Sequence, residues 1–210
     1  MSKVSAPGQT RGQQKQDKRE RIRRAAWELF LERGYEETTT RAVAERAKIA
    51  SGTLFLYASD KQDLLFLVMH DRLSEAVEEA FDTLPRRAPL LERWMHLFRR
   101  IFRMYGEHPA LGAAFVRLLP GATGPNAERV NALTFAFLHR VGALVREAQE
   151  QGEVAPDLLP LQVATSVFSL YFGSLMAWLA GMMPLELALE EHLRPALALQ
   201  IRGLRPLREG

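Results

Sequence analysis

Residues 34–65 read GYEETTTRAVAERAKIASGTLFLYASDKQDLL, and the spacing of apolar and turn-forming residues in this stretch decides the fold. Thr39 stands where an N-cap is needed, and Val43, Ala44 and Ala47 follow as the inward positions of a helix about two turns long. A four-residue gap, Lys48 to Ser51, leads to another short helix, Gly52 to Tyr57, whose inward residue is Leu54. Two short helices joined by a tight turn, the second too short to stand alone, are what a helix-turn-helix requires. The first braces the second, whose N-terminal half enters a DNA major groove. This predicts that Ser51, Thr53, Phe55 and Tyr57 meet groove and phosphates. It places Thr39, Thr40 and Arg41 at the positive end of the bracing helix, where phosphate binds readily, and lets Lys61 clamp a second phosphate.

Upstream, Ile22, Ala25, Ala26, Leu29 and Phe30 follow the i, i+3, i+4 rhythm of a buried helical face, from a start near Asp17 to a left-handed stop at Gly34. Residues 1–16 lack such a rhythm and read as a flexible basic arm, so the helix-turn-helix domain spans 17–62 and a larger domain 63–210. Downstream, Ser59 to Gln62 spells a capping box that opens a long fourth helix carrying Leu64, Leu65, Val68, Leu73, Val77 and Phe81. Beyond Pro85 the punctuation by Pro and Gly predicts helices over Pro89–Tyr105, Pro109–Leu119, Pro125–Gln151, Leu158–Met183 and Leu185–Ile201. No stretch alternates with the period of a strand, and the fold class is all-α: a small N-terminal bundle followed by a larger one.

Charge is divided unevenly along the chain. Residues 1–24 hold eight Lys or Arg against two acids, whereas residues 62–210 hold fifteen Arg against seventeen acids, so an anionic partner is drawn to the N-terminal end. With no cysteine there is no disulfide framework, thiol nucleophile or Cys-based metal site. The first residues lack a signal-peptide apolar run, so a cytoplasmic location is expected.

The string Gly34-Tyr35, Thr39-Thr40-Arg41-Ala42-Val43-Ala44, Gly52-Thr53-Leu54-Phe55-Leu56-Tyr57, Asp60-Lys61 and Leu64-Leu65 strongly resembles the N-terminal DNA-binding domain of the TetR family of repressors. The resemblance implies three helices for DNA, a fourth linking helix, and a C-terminal helical domain that dimerises and holds a ligand. It also implies that Thr40, Arg41, Ser51, Gly52, Thr53, Phe55, Tyr57 and Lys61 touch DNA. This chain departs from the family pattern at Lys48 (usually Gly), Ala50 (usually Ser as N-cap), Phe55 (usually Tyr) and Ala58 (usually Phe). A left-handed Lys48 costs roughly 1 kcal/mol, as does the missing hydroxyl cap, unless Ser51 caps one residue later.

Residues 158–185 carry no charge. Their acidic flanks, Glu153 and Asp157 before and Glu186, Glu190 and Glu191 after, argue for a buried helix rather than a membrane span. Ser169, Gly173, Ala177 and Gly181 recur every four residues, a stripe of small side chains that admits another helix. With Leu189, Leu193 and Leu197 of the last helix they form the expected homodimer seam, close packing within one subunit being the alternative. Trp94, Phe98, Phe102, Phe115, Phe135, Phe168 and Phe172 supply the walls expected of an apolar ligand cavity, with Arg117 and His139 as orienting groups.

Three acid–imidazole pairs, Glu92 with His96, His70 with Asp71 and Glu107 with His108, lack a third convergent ligand, and no nucleophile or phosphate-loop motif accompanies them. No enzyme activity, metal or cofactor is expected. Residues and resemblance together predict a ligand-responsive transcriptional regulator, a repressor by the family's habit. It would bind an inverted-repeat operator in double-stranded DNA as a homodimer and be released by a small, largely apolar effector. The alternative is a helical carrier of hydrophobic small molecules without sequence-specific DNA binding.

Overall fold

Thr10 opens the first helix. Its hydroxyl accepts the Gln13 backbone N–H at 3.3 Å while the Gln13 side chain accepts the Thr10 N–H at 2.8 Å, a reciprocal capping box. In this computed structural model, which describes residues 10–205, α1 therefore runs Arg11–Glu37. It begins at Arg11 and not at Asp17, because the Thr10–Gln13 box starts the helix inside the stretch expected to be a flexible arm. The remainder of that arm, residues 1–9, lies outside the described residues.

Gly34 breaks α1 near its end at φ 78°, ψ 168°, a region closed to L side chains. The chain then completes another turn to Glu37. Buried Thr38 donates its hydroxyl to the freed carbonyls of Leu29 (3.1 Å) and Gly34 (2.8 Å). α2 (Thr40–Arg46) is capped as expected by Thr39, whose hydroxyl accepts the Ala42 N–H at 3.1 Å. Lys48 takes the left-handed turn at φ 54°, and α3 (Ser51–Leu54) follows. Ala50 is its N-cap without a side-chain hydrogen bond, so Ser51 does not move into the cap position. α3 is shorter than the expected Gly52–Tyr57 helix; tighter turns continue it, with Tyr57 N–H on Leu54 O at 2.8 Å.

α4 (Lys61–Asp82) is capped by Asp60, which accepts the Asp63 N–H at 2.7 Å, while Asp63 accepts the Ser59 N–H at 3.0 Å. The cap lies one residue beyond the expected Ser59, and the expected Ser59–Gln62 box does not form: Asp63 takes the Ser59 N–H and the Gln62 amide donates to the Leu118 carbonyl. α5 (Leu90–Glu107), α6 (Pro109–Leu118), α7 (Pro125–Glu150) and α8 (Pro160–Leu179) follow within one or two residues of the Pro punctuation that predicts them. α4 packs along α5 and α7, and α7 along α8, around a core that includes Trp94, Phe98 and Phe102.

The expected last helix is two segments, a π-helical Leu187–Leu193 and α9 (Arg194–Gly203). Pro195 is the cause: it has no N–H for the preceding turn and its ring crowds that turn's carbonyl, so the helix widens before it. Among the described residues there is no strand, in keeping with the all-α class.

The vacant cap at α3 generates a prediction. Ala50→Ser supplies a hydroxyl where the backbone already has cap geometry (φ −66°, ψ 142°). It is expected to raise the unfolding free energy by about 1 kcal/mol, read as a higher urea midpoint at unchanged slope.

Candidate nucleic-acid interface and ligand cavity

The α2–α3 corner presents one face to solvent. Thr39, Arg41, Ser51, Gly52 and Phe55 are exposed there, and Thr40 and Thr53 are partly so. Arg41, its side chain 84% exposed, pairs with Glu45 at 3.0 Å, a solvent-facing contact that a stronger anionic partner could displace. Leu54 is fully buried and anchors α3 to the bundle. Leu56, which the sequence reading did not single out, is 80% exposed and follows exposed Phe55 in the chain, a second apolar side chain open to solvent at the end of α3. The signal was its place two residues after an inward Leu54, more than half a helical turn round.

Two expected contacts are engaged within the chain. Lys61 donates its ammonium to the carbonyls of Tyr35 (3.1 Å) and Glu36 (2.9 Å) and lies 4.5 Å from the Tyr35 ring centroid. It fastens α4 to the C-terminus of α1, where helix carbonyls attract a cation. Tyr57 packs its ring partly against the core. Arg46 pins α2 to α1 through Glu32 (2.8 Å) and Glu28 (3.3 Å), and its guanidinium holds the Glu32 carboxyl below the usual carboxylate range.

Between the helices of the larger bundle lies a small, predominantly apolar cavity of about 50 Å³, walled by residues of α4 to α8. Phe115, Phe168 and Phe172 reach it as expected. Trp94, Phe98 and Phe102 do not: they are fully buried in the core, where Phe98 stacks on Tyr171 at 4.6 Å and Phe102 on Trp178 at 5.5 Å. Phe135, at 65% exposed, and His139 point to solvent from the outer face of α7. Arg117 is exposed and pairs with Glu36 at 2.9 Å, lining an open groove between α1, α6 and α8 instead. Helical spacing marks amphipathic helices but does not tell which side of α7 faces the bundle.

The cavity wall also contains Leu73, Val77, Thr134, Tyr105 and Tyr171, which the sequence reading left out. Burial pushes both tyrosine hydroxyls up from the usual phenol range, so both stay neutral. Of the acid–imidazole pairs, His70 meets Asp71 at 2.8 Å, whereas His96 bonds Thr83, Glu92 bonds Arg194 and Glu107 pairs with Arg72. No group of three potential metal ligands occurs among the described residues.

α8 buries one side, with Val163, Val167, Tyr171 and Leu175 in the core. Gln162, Thr165, Ser169, Gly173 and Met176 face outward along it, and Ala177 is half-buried. Gly181 lies beyond the helix end at φ 74°, where it completes the C-terminal turn. Leu189, Leu193 and Leu197 are at most 8% exposed and pack within their own subunit, because the apolar stripe of the last helix turns toward α5 and α8. The outward side of α9 is Leu199, 69% exposed, with Gln200 and Gly203 beside it.

Residues 22–68 match the family described as bacterial regulatory proteins, tetR family. The HTH-type transcriptional repressor KstR of Rhodococcus jostii is 32% identical over 165 residues, 78% of this chain and 73% of that protein. The fatty acid metabolism regulator protein of Bacillus subtilis is 22% identical over 69% of this chain and 75% of its own length. Among solved structures, the Thermus thermophilus transcriptional repressor FadR, in complex with lauroyl-CoA, superposes with a TM-score of 0.72. It is 29% identical, and the match covers 91% of this chain and 97% of that one.

The Lys61 geometry yields a prediction that separates fastening from phosphate binding. Lys61→Met is expected to lower the unfolding free energy by about 1.5 kcal/mol in urea denaturation. Unchanged stability with weakened binding to every duplex would return Lys61 to the phosphate role.

Proposed function

The chain belongs to the tetR family of bacterial regulatory proteins and is a ligand-responsive transcriptional repressor; from that premise we propose that its effector is a long-chain fatty acyl thioester. The observation that carries this reading is the cavity among α4 to α8, whose lining is apolar and aromatic except for Thr134 and the tyrosines Tyr105 and Tyr171. The lauroyl-CoA complex of the Thermus thermophilus repressor, similar over nearly the whole chain, supports the same class. At about 50 Å³ the resting cavity is far below the roughly 300 Å³ of a drug-sized site. An acyl chain must therefore part the helices, and a ligand that requires parted helices favours a different conformation of the domain.

In this reading two copies pair through the outward face of α8, at Ser169 and Gly173, and the outward side of α9 around Leu199. The pair sets its two α3 faces about one DNA turn apart, so each reads one half of an inverted repeat. Arg41, Ser51, Gly52, Thr53, Phe55 and Leu56 form the reading and phosphate-contacting face, with Thr39 and Thr40 at the start of α2. Phe55 and Leu56 suit thymine methyl groups, and Arg41 a phosphate or a guanine edge. Effector occupancy changes the spacing of the two faces and releases the operator.

Selection of operator from random duplexes, followed by titration of the complex, tests the reading. Lauroyl-CoA is expected to release the duplex where free CoA does not; release by neither overturns the effector assignment. Leu133→Trp, which fills the cavity from α7, is expected to remove the response while the operator is still bound. Gly173→Glu on the outward face of α8 is expected to give monomers in light scattering and to weaken operator binding about a hundredfold or more, through loss of the second half-site. Arg41→Ala is expected to cost roughly tenfold in operator affinity.

A further inference from the structure

The first turn of α7 and the exit from α3 meet on one buried carboxylate. Asp63 is fully buried, and its Oδ1 accepts the backbone N–H groups of Asn126 (3.0 Å) and Ala127 (3.3 Å). Its Oδ2 accepts the Ser59 backbone N–H (3.0 Å) and the Asn126 side-chain amide (3.1 Å). That amide also donates to the Tyr57 carbonyl at 2.8 Å. Asp63, a residue of α4, thus caps α7 where α7's own N-cap, Gly124, has no side chain to do so. Gly124 is shaped for this approach: it sits at φ 115°, and a Cβ there would stand 2.8 Å from Asp63 Oδ1 and 3.1 Å from Ser59 Oγ.

Past this cap α7 goes straight to the cavity. Val130 lies about one turn beyond Asn126, and Leu133, Thr134 and Phe137 continue the wall. A buried carboxylate that accepts four hydrogen bonds is stiff, since losing any of them leaves charge short of partners in a dry site. Parting α7 from its neighbours to admit a ligand must therefore either carry Tyr57 and Ser59 along or break this cluster. Both residues close the turn that holds α3 in place.

We propose that Asp63 and Asn126 are the positioning residues that carry cavity occupancy to the DNA-reading helix, an inference that rests on the effector reading above. Other contacts across the same boundary are less suited: the Arg117–Glu36 pair is exposed and screened. The Gln62 amide on the Leu118 carbonyl, at 3.0 Å, joins α6 and not the cavity wall of α7.

The test uses the full chain and two readouts. The first needs no effector. Amide hydrogen exchange in Asn126→Ala is expected to quicken both at residues 126–128 and at residues 58–60; quickening confined to α7 overturns the link. The second is the ratio of operator Kd with and without lauroyl-CoA. Asn126→Ala is expected to shrink that ratio about tenfold or more, and an unchanged ratio overturns the proposal. Asp63→Asn, which keeps shape but sets an amide donor against N–H groups, repeats both measurements should Asn126→Ala fail to fold. A wild-type complex that ignores lauroyl-CoA defeats the effector reading, and the exchange data then decide the link alone. The ratio also separates positioning from mere stability, because loosening that weakens operator binding equally with and without effector leaves it unmoved.

Discussion

Three consecutive side chains at the start of α4 hold the two halves of this protein together. Lys61 reaches the carbonyls ending α1, Gln62 the carbonyl of Leu118 ending α6, and Asp63 the N–H groups opening α7. Successive residues of a helix fan out by about 100°, so one turn can address three neighbours at once. Each bond also satisfies a helix terminus that would otherwise lack a partner. The reading face of α2 and α3 is therefore oriented by helix ends from the larger domain and not by its own small core alone.

The larger domain is packed to leave little room. Its aromatic side chains stack around Tyr171 and Trp178, and what remains open is a slot lined by Phe115, Phe168 and Phe172. A protein interior of this density transmits displacement instead of absorbing it. Val130, Leu133 and Thr134, which line the slot from α7, stand on the same helix as Asn126, which ties α7 to α4, with Val130 about one turn away. In the reading proposed above, binding and release of DNA are two outcomes of where α7 sits.

Much of this was legible in the amino-acid sequence, and the exceptions have physical reasons. Pro109 and Pro125 announced their helices because Pro tolerates only the first turn. The cap at Thr39 was readable because it is local, and the left-handed turn at Lys48 because the family usually carries Gly at that position. Asp63 was not, since a carboxylate in the first turn of a helix reads as a solvated dipole partner, and its partners at Asn126 and Ala127 arrive only once the chain has folded back. The apolar stripe of Leu189, Leu193 and Leu197 announced burial correctly but not the surface that buries it, and the subunit's own core does so. Phe135 and His139 were misplaced for the same reason: period identifies a face, and only tertiary contact says which way it looks.

The small resting size of the cavity carries one more consequence. Opening it costs the same free energy whatever enters, whereas the apolar gain grows by about 0.8 kcal/mol with each methylene buried. For an acyl effector, every added carbon then tightens binding about fourfold above a fixed threshold that short chains fail to cross. A slot that begins this small is in this sense a ruler, graduated in carbon atoms, and its zero mark is set by how tightly Phe115, Phe168 and Phe172 pack around it.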